Sequence, residues 1–189
     1  MPVALRKYYS EEEFLALERM SKIKNEYYRG EIFAMSGASY QHNQIATNIV
    51  MDIGGFLKGK DCNIFGSDLR VFTQLPSFYT YPDAVIICGD PSFLDREFDT
   101  VLNPTILFEI LSPSTQEYDR TIKFGFYKNI PTLKQYVLID SQKIIVQIFT
   151  KQFDKSWSLD EYHSLEDEWT LSSIQYKSII KTLYDGVKF

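Results

Sequence analysis

The 189-residue sequence has only two cysteines, Cys62 and Cys88, and two histidines, His42 and His163. Two cysteines cannot build a multi-bridge scaffold, and Cys88 lies in an apolar run where a small buried thiol fits. A reducing cytoplasm is the expected setting. A closed zinc site would need all four residues to converge, so zinc is not expected. No stretch approaches 18 consecutive apolar residues, and the opening MPVALRKYYS has no apolar signal core. Neither a membrane span nor an export signal is therefore expected. No two of the nine glycines are separated by a single residue, and G-x-S-x-G is absent. That excludes dinucleotide and Walker-type phosphate loops and the nucleophile elbow of α/β-hydrolases.

Basic residues are also in deficit, 20 against 25 acidic ones, for a net charge of −5. That balance argues against a general nucleic-acid coat protein. The excess is local: from Lys151 to Thr170 there are two lysines and six acids. The rest of the chain is close to neutral, which leaves room for a basic surface elsewhere. Aromatics are plentiful, with 13 tyrosines and 14 phenylalanines, and apolar residues make up 44% of the chain. A chain of this size buries roughly 70% of its unfolded surface and needs no cross-link to complete a core. Without internal repeats or a Pro/Gly/Ser-rich linker, residues 1–189 read as one domain.

Ser10 followed by Glu13 is a capping box that opens a helix. Two strand-like runs around Arg29-Gly30 predict a hairpin. Ile45, Ile49, Ile53, Phe56 and Leu57 recur at helical spacing, predicting an amphipathic helix over 40–57. Strands are expected at 69–73, 81–88, 105–111 and 135–140, then at 143–150 across a Ser141-Gln142 turn. Continuous apolar runs at 84–88 and 106–108 mark central strands covered on both faces. The stretch 115–128 reads as a helix ended by Pro131. One more strand and a short terminal helix are expected after residue 156, and the acids of 160–168 read as a solvated loop. The expected class is α/β or α+β, a central mixed β-sheet flanked by helices.

Two carboxylates stand where solvation does not explain them. Asp83 opens the apolar run after Tyr81-Pro82, and Glu109 interrupts Ile106-Leu107-Phe108 and Ile110-Leu111. A buried carboxylate costs several kcal/mol unless it is paired, coordinated or protonated. On neighbouring strands the two could bind a hard divalent cation such as Mg²⁺. A salt bridge from Glu109 to Lys123 or Arg120 would satisfy it equally well.

Around these acids the pattern is distinctive: Tyr81-Pro82-Asp83 and an apolar run, Asn103-Pro104-Thr105, Phe108-Glu109-Ile110-Leu111-Ser112-Pro113-Ser114-Thr115, then Asp119-Arg120-x-x-Lys123-x-x-x-Tyr127. With the hairpin Tyr28-Arg29-Gly30-Glu31-Ile32, Met35, His42 and Tyr136-Val137-Leu138-Ile139-Asp140, it resembles the Uma2 family over about residues 9–150. That family, also called DUF820, is a group of restriction-endonuclease-like proteins in the PD-(D/E)XK nuclease superfamily.

The resemblance implies a restriction-endonuclease-like fold and a Mg²⁺-dependent endodeoxyribonuclease, with Mn²⁺ as a substitute and DNA as substrate. Asp83 matches the metal-binding acid and Glu109 the second ligand, with the Ile110 carbonyl as a third. Leu111 stands where the superfamily motif has lysine, and Lys123 on the following helix resembles the relocated lysine. Glu31 would complete the metal site or orient water, and His42 would carry a proton or bind phosphate. A homodimer is expected, because cutting both strands favours two sites about a twofold axis. Leu111 and the acidic balance keep open an inactive nuclease-fold binding protein, and a hydrolase of small phosphoesters remains a third reading.

Overall fold

A computed structural model describes residues 7–189. The first helix, α1 (Glu11–Met20), starts at the Ser10 capping box, with Ser10 and Glu13 bonded reciprocally. The hairpin β1 (Asn25–Tyr28) and β2 (Glu31–Ala34) turns at Arg29 and Gly30, both at positive φ. The long helix α2 (Tyr40–Leu57) has the predicted span and is capped by Ser39. Then come β3 (Cys62–Gly66), β4 (Arg70–Thr73), β5 (Phe78–Thr80), β6 (Ala84–Cys88), β7 (Thr100–Val101) and β8 (Ile106–Leu111).

A single helical run follows: α3 (Gln116–Tyr118), a π-helical turn (Asp119–Lys123) and α4 (Phe124–Tyr127). The chain closes with β9 (Gln135–Asp140), β10 (Val146–Lys151), β11 (Trp157–Tyr162), β12 (Glu168–Leu171) and β13 (Tyr176–Ile179).

The central sheet has the order β11-β10-β9-β8-β6-β3, antiparallel except for the parallel pair β8 and β9. A second sheet runs β2-β1-β5-β4-β7, and β12 pairs with β13. Strand alternation sorts the central sheet's side chains into two cores. Ala84, Ile86, Ile106, Phe108 and Ile110 pack with Ile45, Ile49 and Ile53 of α2 and with Trp169 of β12. Val85, Ile87, Leu107 and Leu111 face the other way, toward Val71 and Phe78 of the second sheet and Phe124 and Tyr127 of α4. Beyond the second sheet, α1 packs Phe14 and Leu15 against Tyr27 and Tyr79. The fold is α+β with mixed sheets, as the sequence pattern predicts.

Several expectations change. Cys62 and Cys88 oppose one another across β3 and β6 and form a disulfide, so Cys88 is not a free thiol. Strand β3 was hidden because three of its five residues are exposed or nearly so, leaving no clean alternation. The expected terminal helix is absent among the described residues. Its isoleucines belong to β13 and to short 3₁₀ turns, Ser172–Ile174 and Ile180–Thr182, separated by Gln175 at φ 56. The turn after β9 is longer than Ser141-Gln142, since β10 begins only at Val146. Tyr184 braces it, donating its hydroxyl among the carbonyls of Asp140, Lys143 and Ile145. Asp160 and Glu161 lie on the edge strand β11 rather than in a loop.

The disulfide closes a sequence separation of 26 residues. In the chain-entropy account, opening such a loop costs about 3.5 kcal/mol. Reduction and alkylation should therefore lower the urea midpoint, and an unchanged midpoint would show that the bridge does not constrain the chain.

Candidate active site

The site lies where β6 and β8 leave the central sheet against β1, α2 and the π-helical turn. Pro82 offers no backbone N–H, so the β6 ladder starts late. The Asp83 N–H bonds the Phe108 carbonyl at 3.0 Å. The Asp83 carboxylate then accepts the Ile110 N–H at 2.7 Å, doing with a side chain what the missing ladder would have done. Its other oxygen lies 2.8 Å from His42 Nε2. His42 occupies the first turn of α2, where its N–H bonds the capping Ser39 hydroxyl. Cap and strand start thus fix the His42–Asp83 pair. Behind Asp83, Tyr81 donates to Glu18 and accepts from buried Arg70, both at 3.0 Å, which anchors the approach to the strand.

Glu109 projects from β8 on the Leu107 and Leu111 face, toward α4. Its Oε1 accepts from Lys123 Nζ at 3.1 Å and from the Tyr127 hydroxyl at 2.8 Å. Lys123 Nζ also lies 2.9 Å from Glu26 and 3.5 Å from Asp119. Thr80 donates to Glu26 at 2.6 Å and lies 3.3 Å from the Tyr127 hydroxyl, closing a buried polar ring. Asp119, Lys123 and Tyr127 share a helix face, as their spacing predicts. The π-helical turn falls on Asp119–Lys123, and such turns are frequent at functional sites.

Leu111 occupies a position where a lysine would have no partner. It shares the Glu109 face but is buried in the apolar core with Leu138 and Phe124. An ammonium there would be desolvated without a partner, whereas Lys123 enters from the helix among three acids.

Glu26, Glu109, Asp119 and Lys123 are each at least nine-tenths buried. Three carboxyl groups face one ammonium, so full ionisation of all three would leave two negative charges uncompensated. Burial pushes the Glu109 carboxyl well above the usual range, Lys123 opposes, and the neighbouring Asp119, Asp83 and Glu26 add to the rise. Asp119 is raised by burial as well. For Lys123, burial alone would favour the neutral amine. Glu109, Glu26 and Asp119 outweigh it, and the ammonium is held above its ordinary value. Asp83 and His42 form the accessible edge, their side chains 15% and 16% exposed.

The predicted residues Asp83, Glu109, Lys123 and His42 therefore belong to one connected assembly. Glu31 does not reach Lys123; it pairs with Tyr28 on the outer strand of the hairpin. The hairpin acid that does is Glu26, which the sequence reading missed. Its strand carries no alternation that marks it, since Glu26 and Tyr27 are both buried, and only the fold sets it on the face of Tyr28, whose ring stacks on Phe126.

The donor chemistry suits a hard divalent cation. Asp83 and Glu109 supply carboxylate oxygens from adjacent strand positions, and the β8 backbone offers the Ile110 carbonyl, a set of hard oxygen donors. In the arrangement seen, Glu26, Glu109 and Asp119 converge on Lys123. Among the described residues no three His, Cys, Asp or Glu side chains are gathered tightly enough to hold an ion.

Comparison with known proteins gives a consistent result. The chain is 35% identical over 161 residues to the uncharacterized protein sll1609 of Synechocystis, covering 85% of this chain and 91% of that one. It is 33% identical over 180 residues to slr1290 of the same organism, covering 95% and 93%. A solved structure of DUF820 from Anabaena variabilis, titled a putative nuclease, superposes with a TM-score of 0.75. It is 20% identical and covers 94% of this chain and 98% of its own, which shows a shared fold. Residues 11–179 match the family model Uma2, described as "Putative restriction endonuclease". Matched over nearly its whole length, the chain belongs to the Uma2 family.

Proposed function

We propose that this protein is a divalent-metal-dependent endodeoxyribonuclease that works as a homodimer. The observation that carries the reading is the acid assembly: Asp83 and Glu109 from adjacent strand positions, Glu26 from the hairpin, and Asp119 and Lys123 from the helical run. An excess of buried negative charge is costly for a fold and useful for holding a cation. Asp83 and Glu109, with the Ile110 carbonyl, would hold Mg²⁺ or Mn²⁺. Such an ion supplies charge stabilisation for a phosphodiester and acidifies bound water.

The protein's own groups do the rest. Lys123 places a permanent positive charge where a phosphate gains negative charge, and Glu26 and Asp119 keep it protonated and aimed. His42 fixes the rotamer of Asp83 and, at the accessible edge, exchanges protons with solvent or product. Tyr127 and Thr80 hold Glu109 and Glu26 in place.

The test is cleavage of circular and single-stranded DNA with Mg²⁺ or Mn²⁺ by wild type, Asp83→Ala and Glu109→Ala. Wild type should cut and both variants should lose activity while remaining folded. Cleavage retained by the variants would refute the assignment. Light scattering should give twice the chain mass.

A second reading has its own support. The carboxylates converge on Lys123, which is also what an inactive nuclease-fold binding protein would show. The two readings part over the stability of Glu109→Gln.

A further inference from the structure

Within the proposed nuclease reading, one pair of rings beside the site has no structural task. Phe33 of β2 is the register partner of Glu26. Directly paired residues of an antiparallel ladder point to the same face, with Cβ atoms about 5 Å apart. Phe33 therefore stands next to the acid that holds Lys123, on the open side of the hairpin, and is 46% exposed. From the helical run, Tyr118 closes α3 with its ring 5.8 Å from Lys123 Nζ and is half-buried. Glu26 is the largest of the charges that bear on its phenol. Glu26 and Lys123, 2.9 Å apart, thus link the two rings across the site.

Most other phenylalanines and tyrosines pack against another ring, but among the described residues neither Phe33 nor Tyr118 does. The Tyr118 hydroxyl also has no hydrogen-bond partner among them. An exposed phenylalanine alone is ordinary. Two rings that stack on no other ring, beside the one buried lysine among the described residues, are not.

We propose that Phe33 and Tyr118 bracket an unpaired nucleobase and that the substrate of this site is single-stranded DNA. Duplex binding rests on neutralising phosphates with many Lys and Arg side chains, and a chain of net charge −5 is poorly equipped for it. A duplex also keeps its base faces stacked. A single strand offers them, and aromatic stacking binds them without sequence preference. A stacked base would hold the adjoining phosphodiester against the Asp83–His42 edge.

The experiment is fluorescence anisotropy with one labelled DNA sequence in three forms: single strand, duplex, and single strand with abasic sites. The proteins are wild type, Phe33→Ala, Phe33→Trp, Tyr118→Leu and Tyr118→Phe, each checked by its thermal transition. Wild type should prefer the single strand to the duplex by at least about 10-fold. Phe33→Ala and Tyr118→Leu should each weaken single-strand binding by roughly 10-fold, the aromatic replacements should restore it, and abasic strands should be indifferent to all four. Equal affinity for the duplex, unchanged binding in the truncated variants, or no DNA binding at all overturns the inference. If Asp83 and Glu109 prove essential for cutting duplex DNA while the ring variants bind normally, the nuclease reading stands and this inference alone falls.

Discussion

Glu109→Gln should abolish cleavage, with a loss of at least about 100-fold, and should not lower the melting temperature. The amide oxygen can accept from Lys123 and Tyr127 as Glu109 does, so the hydrogen bonds survive. What disappears is a carboxyl whose ionisation adds a negative charge to a buried set already rich in acids. If Glu109 served only as the fold's partner for Lys123, the same change would destabilise. The pH dependence sharpens the contrast. Burial raises the Glu109 carboxyl above its ordinary 4.5. A group raised in this way favours the folded state fully below its unfolded value, and that contribution is lost as pH rises through the folded one. The stability advantage of the glutamine variant should therefore be largest near neutral pH and shrink toward pH 5. Urea midpoints of both proteins at several pH values would show it; a constant difference would contradict it.

Lys123→Ala should produce the largest loss of stability, about 3–5 kcal/mol, because it leaves Glu26, Glu109 and Asp119 buried without their cation. For a chain of this size that is a fall of roughly 10 °C in melting temperature. Lys123→Met, which keeps the volume, should lose nearly as much, since the effect is one of charge rather than packing. Both losses should diminish as pH falls, when Glu109 and Asp119, already raised by burial, take up protons and need less compensation. A loss independent of pH would mean that the lysine stem, not its charge, supports the fold.

The parts of this structure that declared themselves in the sequence are those with local causes. Ser10 and Glu13 announce a helix start whatever surrounds them. The isoleucines of α2 give its face and its span. Asp83 and Glu109 were visible because one opens and the other interrupts an apolar run, and Lys123 only through the resemblance to the Uma2 family. Glu26 was not visible, because Asn25-Glu26-Tyr27-Tyr28 reads like any half-exposed strand. Only the pairing of β1 with β5 sets Glu26 beside Thr80 and under Lys123. The Cys62–Cys88 bridge had the same kind of cause, a long-range register between an unrecognised edge strand and β6. The tail misled for the opposite reason, as Ile174, Ile179, Ile180 and Leu183 imitate helical spacing while belonging to a hairpin and two tight turns.

The central claim is that the buried acids form a cation site, and it is tested most directly by titrating Mn²⁺ calorimetrically into wild type and Glu109→Gln near neutral pH. Wild type should bind the ion and the variant should not, with both proteins folded throughout. Equal binding by the two, or no binding by wild type even at millimolar Mn²⁺, would contradict the claim and leave Lys123 as the set's own permanent cation.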